Sequence, residues 1–142
     1  MKLEKIRGLI FIILLMLSAA PGRSEAEVDP KLVPAYVTAG LTAYKTQGYE
    51  AAVHIWLADS PHKDAVNLAS NLMFFKNIQM LAGKYLSYDI LMTQETVSSN
   101  LVYVRMNYER LPGYILFTSL KRDGKWVLGT IKPDRLQKYG NL

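Results

Sequence analysis

The chain has 142 residues, half of them hydrophobic, and a formal net charge of +5 at neutral pH. It contains no cysteine, which excludes disulfides, a thiol nucleophile and the lipid-accepting cysteine of a bacterial lipoprotein. A length of this order suits one domain with one hydrophobic core.

Residues 1–26 have the three-part pattern of a secretory signal peptide. Three basic residues open the segment, residues 9–17 (LIFIILLML) are an unbroken apolar run, and Ser24-Glu25-Ala26 supplies small residues for a signal peptidase. The apolar run is shorter than the roughly 20 residues that a membrane-spanning helix needs. We therefore expect cleavage before Glu27 and a periplasmic or secreted protein without a stable membrane span; an uncleaved amino-terminal anchor is the alternative.

Much of the positive charge belongs to this segment. It carries four basic and two acidic residues, so residues 27–142 keep a net charge of +3. The basic residues near the carboxyl end are spread over a hairpin rather than packed in a stripe, which does not favour nucleic-acid binding. They are Lys121, Arg122, Lys125, Lys132, Arg135 and Lys138.

Residues 34–83 have helical periodicity. Val33, Val37, Leu41 and Tyr44 form one apolar stripe that begins near Pro34 and ends at Gly48. A second, shorter helix is predicted from Tyr49 to about Ala58, burying some of Ala52, Val53, Ile55 and Trp56. Ser60-Pro61 then resembles an N-cap and first helical residue, and a long third helix with Ala65, Leu68, Leu72, Phe75 and Ala82 ends at Gly83.

After Gly83 the apolar period drops to two, as expected of strands. Apolar residues alternate with a second set in both segments: Leu86, Tyr88, Ile90 and Met92 with Ser87, Asp89, Leu91 and Thr93, and Val102, Val104, Met106 and Tyr108 with Tyr103, Arg105 and Asn107. Asp123-Gly124 predicts a tight hairpin between residues 114–121 and 126–132. The order predicts an α+β domain in which three helices cover one face of a four-stranded antiparallel sheet.

A two-residue turn at Asp123-Gly124 sets a register for the last two strands. It pairs Leu120 with Val127 and Leu116 with Ile131, which leaves Phe117 and Trp126 on the other face. Both faces are then partly apolar, although an antiparallel sheet with one wet face should alternate cleanly. We expect the second face to meet a partner subunit, a ligand or its own long lysine side chains.

Two segments resemble the nuclear-transport-factor and ketosteroid-isomerase superfamily, in particular its SnoaL-like members. They are residues 40–61 (GLTAYKTQGYEAAVHIWLADSP) and residues 83–133, which include VYVRMNYERLPGYILF and DGKWVLGTIKP. The resemblance implies a cone-like, curved sheet wrapped by helices, but likeness of fold does not transfer a reaction. Two departures are the absence of room for a strand pair within residues 58–63 and the corner sequence, in which Glu109-Arg110 is followed by Leu111-Pro112-Gly113 where the family has Gly-Pro.

The corner Asn107–Gly113 (NYERLPG) joins two predicted strands. Pro112-Gly113 suits the centre of a type II turn, and the simplest interpretation is a solvated turn. The functional alternative places Glu109 or Arg110 at the rim of a pocket between sheet and helices.

The sequence contains no metal or cofactor motif. His54 and His62 lack the spacing of a helical metal pair, and His54 is expected to be a partly buried structural residue. An isomerase-like enzyme would need a carboxylate with a hydroxyl, and Asp89 with Tyr88 or Tyr108 is the candidate set. Because Asp89 alternates to the face opposite Tyr88, the sequence does not argue for an enzyme, and we expect no cofactor.

These patterns favour an exported, non-catalytic binding or interaction module. We expect it to form a homodimer, or to bind another envelope protein, through the second sheet face; candidate contacts are Tyr103, Arg105, Phe117 and Trp126. The alternative is a pocket for a small apolar ligand under the third helix, with or without catalysis. A purely structural envelope protein is the third hypothesis.

Overall fold

The computed structural model describes residues 28–134, so the expected signal peptide and its cleavage point lie outside the described residues. A short 3-10 turn (Pro30–Leu32) precedes three helices, α1 (Ala35–Gln47), α2 (Tyr49–Leu57) and α3 (Ala65–Ala82). Four strands follow: β1 (Tyr85–Glu95), β2 (Ser99–Tyr108), β3 (Pro112–Arg122) and β4 (Lys125–Pro133). The strands form one antiparallel sheet in the order β1-β2-β3-β4, which confirms the α+β architecture and the order of its parts.

Glycine ends the first and third helices as the sequence predicts, whereas Pro34 is the N-cap of α1 rather than its first residue. Gly48 and Gly83 cap α1 and α3 with φ angles of 94° and 89°, in the left-handed region that glycine alone adopts readily. The start of α3 differs from the prediction, because Asp64 is the N-cap and accepts hydrogen bonds from the backbone of Val66 and Asn67. Ser60 is buried and donates from its hydroxyl to the carbonyl of Leu128 on β4, 2.8 Å away.

Aromatic rings of the helices and the sheet form the centre of the core. The Trp56 ring lies 5.1 Å from the rings of both Phe75 and Phe117, and its indole nitrogen donates to the carbonyl of Val37. A Cβ at Gly40 would lie 2.0 Å from that nitrogen, so α1 approaches Trp56 closely only because this residue is glycine. The core therefore lies between the three helices and one face of the sheet, called here the inner face.

The inner face is clearest in β2. Val102, Val104, Met106 and Tyr108 are all buried on it, as their alternation predicts. In β1 the predicted alternation holds only for Tyr88 and Ile90, because register irregularities flank them. Tyr85 is buried while Leu86 is 45% exposed, and Met92 pairs with Tyr103 on the opposite face, called here the outer face.

The β3–β4 hairpin follows its predicted register only near the turn. Asp123 and Gly124 both have positive φ, as a type I′ turn requires, and Leu120 pairs with Val127. The predicted pairing of Leu116 with Ile131 is wrong: a bulge at Gly129 shifts the register, and Ile131 pairs with Phe117. Phe117 pairs with Val102 of β2 and lies on the inner face, not on the second face where the sequence placed it, because the helices cover that side of β3.

Among residues 28–134, no helix combines the length and the apolar character that crossing a bilayer requires.

Candidate functional site

The charged corner after β2 holds the carboxyl end of α3. The guanidinium of Arg110 donates to the carbonyls of Leu81 (3.1 Å) and Met80 (3.0 Å), and its backbone N–H donates to Ala82 (2.8 Å). Gly83 donates to the carbonyl of Gln79. All four carbonyls that a helix leaves without an internal partner are thus satisfied at the end of α3.

Glu109 completes the same connection. Its backbone N–H donates to the carbonyl of Lys84, and its carboxylate accepts from the backbone N–H of Lys84 at 3.0 Å. A Cβ at Gly83 would lie 2.8 Å from that carboxylate, so the contact depends on glycine as well as on its positive φ. Glu109 and Arg110 therefore join α3 to the sheet.

The predicted type II turn at Pro112-Gly113 is absent. Both residues belong to β3, and Gly113 does not have positive φ. A Cβ at Gly113 would lie 3.3 Å from the ring of Tyr108, so glycine here provides space for that ring.

The outer face carries a polar cluster around Asp89. One carboxylate oxygen of Asp89 accepts from Nη2 (2.8 Å) and Nε (3.2 Å) of Arg105 and from the amide of Asn107 (2.9 Å). These donors hold the pKa of Asp89 below its usual value, the Asn107 hydrogen bond contributing most. Both members of the ion pair are nearly half exposed, so the pair contributes little to stability.

Arg105 and Arg110 border a shallow depression of about 260 Å³ on this side of the sheet. The charge of Arg105 is compensated by Asp89, and the guanidinium of Arg110 is directed at helix carbonyls. The depression therefore offers no ready anion site.

Tyr103 occupies the centre of the outer face. Its ring stacks on Tyr114 with centroids 6.1 Å apart, and the residue is only 6% exposed. Its hydroxyl has no hydrogen-bond partner among residues 28–134. Burial, with the nearby charge of Asp134 as a smaller cause, raises the pKa of Tyr103 to about 12.

Phe117 and Trp126 offer little contact surface. Phe117 is fully enclosed against Trp56, and Trp126 is half-buried beneath the ammonium group of Lys121, 5.2 Å from its ring centroid. The lysine thus covers the ring, one of the outcomes expected for this hairpin.

The candidate catalytic set is not brought together. Asp89 lies on the outer face with Arg105, whereas Tyr108 lies on the inner face and donates to the hydroxyl of Tyr44 at 3.2 Å. Burial raises the pKa of Tyr108 far above that of free tyrosine. Its position among Tyr44, Tyr85 and Phe75 is that of a core side chain.

The two histidines lie on the surface. His54 is exposed on α2, so its predicted partial burial is wrong, and His62 is exposed in the loop before α3. Within residues 28–134, no group of three or more His, Cys, Asp or Glu side chains could hold a metal ion.

Among residues 28–134, α3 carries several exposed apolar side chains, on the side that the sequence analysis did not consider. Val66, Met73 and Met80 are 75%, 65% and 68% exposed, and Leu81 is 74% exposed. They lie on the side of the helix opposite Phe75, which is fully buried. Their seven-residue spacing and the single charge in residues 65–82, that of Lys76, are the sequence signals that could have identified this surface.

A separate apolar depression lies at the edge between α3 and the start of β3. It has a volume of about 400 Å³, and its lining includes Phe74, Ile78, Leu111, Tyr114 and Ile115. Leu111, from the corner after β2, is 57% exposed at this site.

The fold and these surfaces define an α+β protein whose three helices cover one face of a four-stranded antiparallel meander. Neither a protein-family model, nor a curated protein, nor a solved structure matches the chain.

Proposed function

We propose that this chain is an exported, non-catalytic interaction module that binds another protein through the outward side of α3. The observation that carries the proposal is the exposure of Val66, Met73, Met80 and Leu81 on one helix. Large apolar side chains that are exposed together on one element are a feature of binding sites.

The outer sheet face, favoured by the sequence, is a weaker candidate. Phe117 belongs to the core, Trp126 is covered by Lys121, and Arg105 is paired with Asp89. The unpaired hydroxyl of Tyr103 is the feature that favours this face, and Met92, which pairs with Tyr103, can report on it.

Export remains part of the proposal and rests on the pattern of residues 1–26. The relation to the nuclear-transport-factor superfamily is likewise proposed, with its cone-like sheet. It is supported by the quoted segments and by the packing of all three helices toward one side of an antiparallel sheet.

Methionine oxidation tests which surface is occupied in the cell. We expect peroxide to convert Met73 and Met80 to sulfoxides in dilute purified protein, but several-fold more slowly in intact producing cells, because a bound partner covers them. Mass spectrometry of the tryptic peptides gives both rates.

Met92 and Met106 serve as internal controls. Met92 is half-buried on the outer face and should react equally in both settings, and Met106 is fully buried and should stay unmodified. Equal rates for Met73 and Met80 in cells and in dilute protein would refute the proposal. Selective protection of Met92 would show instead that the partner binds the outer sheet face.

The depression beside Phe74 and Ile78 supports a second candidate, a site for a small apolar ligand. Its volume of about 400 Å³ lies within the range of ligand pockets. A panel of steroids and medium-chain fatty acids should raise the melting temperature, by an amount equivalent to about 2.7 kcal/mol at a hundredfold excess over Kd. The variant Ile78→Trp fills the depression and should abolish that shift; a shift that survives the substitution, or none with the wild type, excludes this site.

A further inference from the structure

The outward side of α3 repeats every seven residues. Val66, Met73 and Met80 lie 14 residues apart from first to last, about 21 Å along the helix axis. Positions seven apart differ by only about 20° around an α-helix, so the three side chains lie in one row along the helix, with Ser70 and Asn77 among the residues between them. We refer to Val66, Met73 and Met80 as the methionine stripe.

The methionine stripe is symmetric about Met73, which lies at the middle of α3. If a second α3 lies antiparallel across Met73, Val66 faces the partner's Met80 and Met73 faces the partner's Met73. This is the self-complementarity that a two-fold interface requires, with the same surface on both subunits.

The charge of the helix favours the same arrangement. Lys76 is the single charged residue of α3, and antiparallel pairing about Met73 places it opposite the partner's Ser70. A parallel pairing in register would instead place it opposite the partner's Lys76, and like charges repel. Ala69 and Ser70 beside the stripe are small and allow the two helices to approach closely.

The size of the surface indicates how tight the contact is. The stripe and Leu81 together expose on the order of 500 Å², at the upper end of apolar patches on monomers and below the roughly 800 Å² per partner of a standard interface. An interface of this size favours a reversible dimer rather than a permanent one.

We propose that the partner of this surface is a second copy of the same chain, with the two α3 helices antiparallel and crossing at Met73. The proposal rests on the function proposed above and names its partner. It predicts a concentration-dependent dimer that Met73→Glu weakens at least tenfold, measured by sedimentation equilibrium, because two carboxylates would meet at the crossing point. Circular dichroism should show an unchanged fold, since Met73 makes no core contact.

The absence of native cysteine permits a direct test of geometry. Helices packed 8–10 Å apart bring facing Cα atoms to about 5 Å, within disulfide reach. Mild oxidation should link Met73→Cys to itself. It should also link Val66→Cys to Met80→Cys when the two variants are mixed, but neither of these to itself.

Val97→Cys is the matched control. Val97 is 94% exposed at the β1–β2 turn, away from α3, so a thiol there reports random collision. Self-linking of Val66→Cys and of Met80→Cys, without the mixed product, would overturn the antiparallel arrangement. Linking of Met73→Cys no faster than Val97→Cys, or a wild-type monomer at all concentrations, would overturn the dimer.

Failure of the dimer and failure of the proposed function give different results. A monomeric purified protein whose Met73 and Met80 are still protected in cells refutes the second copy but retains an interaction module with another partner. Unprotected methionines refute the function itself.

Discussion

At the scale of single residues, the side of the sheet that a residue faces decides its role. Phe117 and Leu120 lie on the same strand and have similar hydrophobicity, but Phe117 is fully buried against Trp56 while Leu120 is 39% exposed. The predicted register of β3 and β4 is correct only near the turn, and the position of the helices decided which face became the core. The same substitution should therefore be far more destabilising at Phe117 than at Leu120.

We expect Phe117→Lys to prevent folding, because it places an unpaired ammonium group in the core. The milder Phe117→Ala should lower the free energy of unfolding by about 3–5 kcal/mol through lost burial and a cavity. Urea denaturation followed by tryptophan fluorescence measures both changes.

Leu120→Lys is the control, on the outer face of the same strand. Because Leu120 is partly exposed, its side chain can be replaced by a long polar one at a cost of about 1 kcal/mol or less. A folded Phe117→Lys protein with wild-type stability would contradict the placement of this ring in the core.

At the scale of elements, the carboxyl end of α3 is stabilised by a residue that is distant in sequence. It has no basic residue in its last turn, and Arg110, 28 positions beyond Ala82, donates to its terminal carbonyls instead. A cation at the carboxyl end of a helix also interacts favourably with the helix dipole. The corner after β2 therefore determines how α3 lies along the sheet.

We expect Arg110→Gln to lower the free energy of unfolding by about 1–2 kcal/mol, because charge-assisted hydrogen bonds to two carbonyls are lost. Hydrogen exchange should accelerate most at the amides of the last turn of α3. Arg122→Gln removes the same charge from the exposed β3–β4 hairpin and should change stability little. Equal effects of the two substitutions would show that Arg110 acts only through net charge.

At the scale of the whole molecule, two apolar surfaces stay exposed after the core has formed. They are the outward side of α3 and the depression beside Phe74 and Ile78. The helices cover one face of the sheet, but α3 also carries exposed apolar side chains on the side that is turned away from the core. The pairing of two α3 helices would bury these side chains and is the reason to place the interaction there rather than on the sheet.

The sequence by itself determined the features that depend on local backbone chemistry. Gly48 and Gly83 end helices, Asp123-Gly124 forms the hairpin turn, and the change of period near Gly83 separates helices from strands. Each of these depends on a few neighbouring residues, so it can be predicted without knowing the rest of the fold.

Only the tertiary structure decided which apolar surfaces became the core. The bulge at Gly129 moved Ile131 from Leu116 to Phe117, and the buried Ser60 bonds β4 instead of capping α3. The outward position of the methionine stripe likewise follows from the packing of Phe75 against Trp56. These outcomes depend on contacts between distant segments, and apolar periodicity marks every surface that avoids water without specifying what covers it.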